Sequence, residues 1–471
     1  MRIFKTVVRE LGLRHLASSR SPRDLQLLIA SRFIRLLGFG AVAPILVLFL
    51  QEQLGFPEAR VGLFLSLTLF GDVALSLLIA WVADRVGRRK VLAIGSMMMA
   101  GSGVAFASSS SYVFLLVSAI FGVISTSGNE CGPFSSIEVT IISQLVQPAS
   151  RVYVLMHYQI LGFVGLALGS VLSGAALSAL EGSYSPLASY RTVFAFYSGI
   201  ACIKIGLSLS LSQLSEVEQT EFPPVKPTLA ETENEARQTL TVEIETNGHD
   251  SDERRPLLHS ASTPRLEVKL PTEINDAAGS SSSLPVVQLA LTCCLFSIDS
   301  FASSLIPASY VSLYLKTIYS VALSTITKVL AAAALGAVCT SLCAGALSKR
   351  AGLVLAMTTC HIPAQVMTMA MAFAPGVHSV LALYVARTCL SALDSSVRGA
   401  FLSAMVPTTS RTRFLGVVDV CRSLTAGPGP FVTGRLIAID KLSLAFVVSG
   451  AIKILADVGL LVGFSAVPLE H

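Results

Sequence analysis

The sequence predicts an all-α membrane protein of twelve transmembrane helices in two six-helix bundles. Three observations lead there: a charge-poor composition, twelve apolar segments of spanning length in two sets of six, and spacings that repeat between the sets. Hydrophobic residues make up 53% of the 471 and charged residues 13%, about half the charged share of a soluble domain. The mean hydropathy of +0.70 is more apolar surface than a water-soluble chain of this size can withdraw.

A helix needs about 20 apolar residues to cross the hydrocarbon core. Segments that meet this lie at 26–50, 60–83, 89–109, 112–140, 152–178 and 190–213, then at 286–315, 321–347, 353–374, 379–405, 413–438 and 442–466. Residues 215–285 between the sets hold 14 of the 29 acidic and 6 of the 34 basic residues. They lack apolar periodicity, are rich in Glu, Thr, Ser and Pro, and end in the run Gly279–Ser283. Such a segment is expected to be a disordered linker. The organisation therefore reads as a segment 1–25, a bundle 26–214, a linker 215–285 and a bundle 286–471.

Outside the linker, 28 bases stand against 15 acids. The basic stretch before the first span, Arg85–Lys90, Arg151, Lys349–Arg350 and Arg411–Arg413 fall on one side of the twelve-span arrangement. The opposite loops, such as Gln51–Arg60 and Glu181–Tyr190, are poor in bases. The positive-inside rule then places both termini and the linker in the cytoplasm. Basic excess of this kind marks cytoplasmic loops and not nucleic-acid contact. The first 25 residues contain no apolar core of a cleavable leader, so the first helix is expected to serve as its own signal.

Nine cysteines lie inside or at the edges of apolar segments, with no C-x-x-C pair. They read as small buried residues, not as disulfides or metal ligands. There is no G-x4-G-K-[ST] loop, which argues against an ATP-driven pump, and no serine elbow, zinc pair or kinase signature. Neither enzyme chemistry nor a cofactor is expected.

Two spacings repeat. Gly336 and Lys349-Arg350-Ala351-Gly352 follow Gly71 and Asp84-Arg85-Val86-Gly87 by 265 residues, with Lys349 in place of the acid. Ser410-Arg411, Gly429 and Gly434 follow Ser150-Arg151, Gly169 and Gly174 by 260. Internal duplication of six helices is a feature of transporters.

The loop after the second span reads Gly71-Asp72, eleven residues, then Asp84-Arg85-Val86-Gly87-Arg88-Arg89-Lys90. A tight cationic turn needs a glycine and an acid to hold its arginines in register. This segment resembles the loop 2–3 signature of the major facilitator superfamily, with Gly71, Asp84, Arg85, Gly87, Arg88 and Arg89 at the matching places. The resemblance implies the twelve-helix fold of that family. It also implies that Asp84, Arg85 and Arg88 act in a gate that latches the halves on the cytoplasmic side. Ser127–Phe134 with Ile137-Glu138, and Asp394–Arg413, look like segments of a fungal and bacterial branch of general-substrate transporters. The chain departs from the family's antiporters in two places. No Pro follows Gly169 in the fifth span, and Ser118 stands where a fourth-span arginine is common. Gly427-Pro428-Gly429-Pro430 occurs instead in the eleventh span, where it should break or hinge the helix. Gly162, Gly165, Gly169 and Gly174 give the fifth span a small-residue face for close packing.

Ionisable groups inside spans are costly and default to functional roles. The fourth span carries Asn129, Glu130 and Glu138, the two acids about 80° apart on a helix. Each is a candidate proton or substrate group, and a buried ion pair with Arg32 or Arg35 of the first span is the structural alternative. Asp299 has no local partner in its span and is a second proton candidate. His157, at a helix mouth, is a third. His361 is expected to lie outside the central cavity. Asp394 with Arg398, and Asp419 with Arg422, are spaced to neutralise one another. Glu253-Arg254-Arg255-Pro256-Leu257-Leu258 fits an acidic dileucine pattern through which a sorting adaptor would act.

The expected function is secondary active transport of a small organic molecule across the lipid bilayer by alternating access, driven by a proton gradient. Efflux of a metabolite or toxic compound is the first reading. Nutrient uptake and a non-transporting receptor or scaffold are the alternatives. The expected site is the plasma membrane, with a vacuolar membrane as the alternative.

Overall fold

A computed structural model of the chain describes residues 19–122, 133–216, 286–342, 352–405 and 408–464. Asn129, Glu130, Lys349, Arg350 and the dileucine segment from Glu253 to Leu258 lie outside these residues, as do the side chains of 80–85, Asp84 and Arg85 among them.

We number the spans α1 to α12. α1 runs Pro22–Val42 and continues through Leu46–Leu48 and a wider π-type turn, Phe49–Gln53. α2 is Glu58–Val86 and α3 Arg88–Ser108. α4 is described in two pieces, Tyr112–Phe121 and Pro133–Leu145. α5 is Pro148–Leu180 and α6 Pro186–Leu209. α7 has pieces Val286–Leu305 and Ala308–Tyr319. α8 is Leu323–Ser341, α9 Leu353–Met371 and α10 Val377–Ala404. α11 has pieces Thr408–Ala426 and Gly429–Ile437, and α12 is Leu442–Phe464.

Among the described residues nine helices are long and apolar enough to cross a membrane. The other three crossings are α4 in its two pieces, α10 with Arg387, Asp394 and Arg398 in its middle, and α11. The break in α11 falls at Gly427-Pro428, where the sequence places it. Two starts lie earlier than the hydropathy suggests. α1 and α5 begin at Pro22 and Pro148 because proline fits the first turn of a helix, whose N–H groups have no partner within it. Ser21 completes the α1 start by accepting a hydrogen bond from the Asp24 N–H at 3.3 Å. The seventh span, expected as one helix, is divided at Pro307, which cannot continue the ladder of the first piece.

Within the first half α5 lies directly on α1. A Cβ added to Gly169 would stand 1.9 Å from the Leu37 carbonyl oxygen, and one on Gly40 2.1 Å from that of Leu166. The two backbones touch, and the small residues of the fifth span permit it.

The buried apolar residues form three principal clusters. One unites both halves: Phe49, Phe64, Phe106 and Phe194 from the first pack with Tyr310, Tyr314 and Phe446 from the second. Its members come from the end of α1, the start of α2, the end of α7 and the start of α8, so it sits at the loop 1–2 end of the molecule. The second cluster, with Leu25, Leu28, Val91, Phe134, Ile141 and Val154, belongs to the first half alone. The third, with Phe296, Met357, Phe401, Val418 and Phe464, belongs to the second half alone. Both lie at the loop 2–3 end. The halves thus share a core at one end and keep separate cores at the other.

Candidate functional site

Glu138, on the second piece of α4, is fully buried and surrounded by donors. Arg35 Nη2 of α1 reaches one carboxylate oxygen at 2.8 Å, and the Tyr158 hydroxyl of α5 donates to the same oxygen at 2.5 Å. Lys204 Nζ of α6 and the Ser31 hydroxyl reach the other at 3.3 and 3.1 Å. Lys204 also lies over the Phe134 ring at 4.0 Å, and Arg32 over the Tyr158 ring at 4.0 Å while donating to Gln159. Of the alternatives open to Glu138 in the sequence, the structure displays the ion pair with Arg35. Four helices meet on one carboxylate.

The second half holds a larger network. Arg398 of α10 donates to Asp299 of α7 at 2.6 Å and to Asp394, one turn earlier on its own helix, at 2.8 Å. His361 of α9 holds Asp457 of α12 through Nδ1 at 2.8 Å, and its Nε2 stands 3.9 Å from both Asp299 and Asp394. Lys453 of α12 approaches Asp299 at 4.0 Å. Two sequence expectations are corrected here. Asp299 is not without a partner, because its partner lies 99 residues away on α10. His361 is not peripheral to the charged groups, because three carboxylates converge on its imidazole.

The networks are related across the duplication. Arg35 and Asp299 are each the fourteenth residue of their helix, and Glu138 and Arg398 are 260 residues apart. The α1–α4 and α7–α10 pairs therefore occupy equivalent places with their charges exchanged. Lys204 and Lys453, on the equivalent helices α6 and α12, both approach the acid of their pair.

Asp72 of α2 is unlike all of these. It is 1% exposed, and neither carboxylate oxygen has a hydrogen-bond partner. It stands midway along Glu58–Val86, beside Gly71. Gly71 itself lies in mid-helix, where an added Cβ would meet the Ile120 side chain of α4 at 2.5 Å. Its role is helix packing and not the turn of the loop signature. The turn glycine is Gly87, at φ +101°, a conformation costly for any residue with a Cβ.

Around that turn, Arg88 donates to Gln144 at the end of α4 at 2.6 Å, and Arg89 donates to the Leu209 carbonyl of α6 at 2.9 Å. Glu216 accepts from the Arg89 N–H at 3.3 Å. These partners all belong to the first half or the residues just after it. His157 is buried and its Nδ1 faces the Tyr153 carbonyl at 2.7 Å. Asp419 and Arg422 approach at 3.6 Å, and Arg422 also donates to Ser300. Asp394 and Arg398 pair as their spacing requires.

At the other end the halves are sealed together. The Phe431 N–H of α11 donates to the Ser66 hydroxyl of α2 at 2.9 Å. A Cβ on Gly62 would lie 2.7 Å from the Pro430 carbonyl oxygen. Ala167 of α5 packs on Ala331 and Ala334 of α8, and Lys316 of α7 pairs with Glu52 of α1. An apolar groove of about 700 Å³ lies in the second half between α7, α11 and α12, against Ile298, Thr425, Pro428 and Leu455. No ionisable side chain lines it, so it is separate from the charged networks.

The sequence matches a model of the Major Facilitator Superfamily over residues 28–245. It is 31% identical over 454 residues, 93% of each chain, to the Uncharacterized membrane protein YJR124C of Saccharomyces cerevisiae. The chain belongs to the major facilitator superfamily. Solved structures of similar fold include the D-xylose-proton symporter, at 16% identity and a TM-score of 0.66 over 94% of this chain and 98% of that one. A bacterial homologue of the human lysosomal transporter Spinster, in an inward-facing and unoccupied conformation, gives 16% and 0.65 over 94% and 97%. A variant of the nucleoside transporter NupG gives 13% and 0.65 over 94% and 100%.

As a member of the major facilitator superfamily this chain is a multi-pass membrane transporter. Five of the buried charged residues described above, Lys204, Asp72, His361, Lys453 and Asp457, were not among the site residues chosen from sequence. Each carried the signal that selected the others, an ionisable group within an apolar span.

Proposed function

We propose that this transporter moves a small organic molecule by alternating access, driven by a proton gradient. The observation that carries the reading is the shared apolar core at the loop 1–2 end against two separate cores at the loop 2–3 end. Two bodies joined at one end give access to the gap between them from the other. With the basic loops on the cytoplasmic side, that access is from the cytoplasm. Each bundle keeps its own charged network, so it can rock without exposing an unpaired ion. Acids within the spans supply groups on which a proton gradient can act.

Reconstitution of the full chain in proteoliposomes tests this. With a pH difference imposed in either polarity and a panel of metabolites, substrate-dependent proton flux is expected. The polarity that drives accumulation separates efflux, the direction we propose, from uptake. Absence of such flux across the panel would favour a receptor or scaffold.

A further inference from the structure

We propose that Asp72 carries the coupled proton. The inference rests on the proton-coupled reading above and names the group that serves it. The other buried acids of the described residues are committed. Glu138 holds Arg35 and Lys204, Asp299 and Asp394 share Arg398, and Asp457 holds His361. An acid clamped by a guanidinium cannot take up a proton without breaking the pair that holds two helices together. Asp72 holds nothing.

The surroundings of Asp72 offer no substitute for water. α3 has no ionisable side chain after Lys90, and the first piece of α4 has only Tyr112, whose hydroxyl donates to the Arg60 carbonyl. The second piece of α4 has Glu138, and the last turn of the α1 segment has Glu52, paired with Lys316. α1 itself carries Arg32 and Arg35, engaged with Gln159 and Glu138. From the described part of α11 come Asp419 and Arg422, near one another, and Arg435, over the Phe431 ring. α6 contributes Lys204, on Glu138, and Tyr197, which lies within electrostatic reach of both Asp72 and Arg35. None of these donates to Asp72. A charged carboxylate in this position is costly, whereas the neutral acid is tolerated.

Its place in the fold supplies the coupling. Asp72 follows, within two turns, the α2 residues that seal the halves: Ser66, bonded to Phe431, and Phe70, packed against Gly427. Opening that seal separates α2 from α11 just above Asp72 and gives water a path to it. Closing the seal removes the path. Gain and loss of the proton are thereby tied to the movement that alternates access.

The test uses the full chain in lipid and the proton as the probe. Infrared difference spectra recorded across a pH titration report the carbonyl stretch of neutral carboxyl groups. We expect such a band in the parent chain, its loss in Asp72→Asn and a displaced band in Asp72→Glu. Substrate-driven proton flux should disappear in Asp72→Asn, while exchange of substrate across a membrane without a pH gradient persists. A neutral-carboxyl band unchanged in Asp72→Asn overturns the proposal. So does flux that remains proton-coupled in that variant, which would leave the transport reading standing. A parent chain with the band but without proton-coupled flux of any substrate removes both.

Discussion

Arg35 and Asp299 occupy the same position in the first helix of each bundle and carry opposite charges. Each pairs with the fourth helix of its own bundle, Arg35 with Glu138 at 2.8 Å and Asp299 with Arg398 at 2.6 Å. The duplicated architecture keeps an ion pair at this joint while leaving its polarity free. A buried pair contributes little over apolar packing, but removing one partner costs about 3–5 kcal/mol.

The joint in the second bundle should therefore tolerate exchange better than deletion. Asp299→Asn and Arg398→Gln should each lower thermal stability in detergent by an amount of that order. Asp299→Arg combined with Arg398→Asp should recover part of the loss, although the new aspartate would sit beside Asp394. A double exchange no more stable than the worse single variant would show that Lys453 and His361 fix the polarity.

At the seal, Gly62 and Gly434 bring α2 and α11 into backbone contact. Gly62→Ala forces them apart, an overpacking cost of about 1–3 kcal/mol, and should bias the transporter toward opening at the loop 1–2 end. Labelling of Ser66→Cys, with the native cysteines replaced, would read this as faster modification. Gly101→Ala, where an added Cβ meets nothing within 4 Å, should leave the rate unchanged.

Lys316 and Glu52 bridge the halves at the same end, each about a third exposed. An exposed pair contributes roughly 0.2–1 kcal/mol. Lys316→Gln should thus raise the same labelling rate only about two-fold, and the difference should vanish near 1 M salt, where the screening length falls to about 3 Å. A salt-independent effect would point to packing and not charge.

At the opposite end, Arg88 ties the loop 2–3 turn to Gln144. Asp84→Asn, in the last turn of α2, should cripple transport while leaving membrane insertion intact, as expected of a gate group. Flux equal to that of the parent chain would remove Asp84 from the gate.

Much of the fold is legible along the chain because spans, turn glycines and helix breaks are local. The division of α11 follows from Gly427-Pro428, and the Asp394–Arg398 pair from a spacing of four. The candidate site is less legible because its partners are brought together across the bundle. Asp299 looked unpaired because Arg398 is 99 residues away, and His361 looked remote because its helix number was taken for its surroundings. For Glu138 the correct partner was among the alternatives, yet nothing in its span could choose Arg35. Asp72 was absorbed into the loop signature through its neighbour Gly71. Only the absence of a donor around it in three dimensions sets it apart.

The division of α11 has a mechanical consequence. Its outer piece is fastened to the opposite bundle through Ser66 and Gly62, and its inner piece to its own through Thr425 on the Ser297 carbonyl and Arg422 on Ser300. The two prolines leave a joint in the ladder between these attachments. A torque applied at one end of α11 need not be delivered at the other. The helix acts as a universal coupling, so the loop 2–3 end can swing over part of its course before the seal is strained.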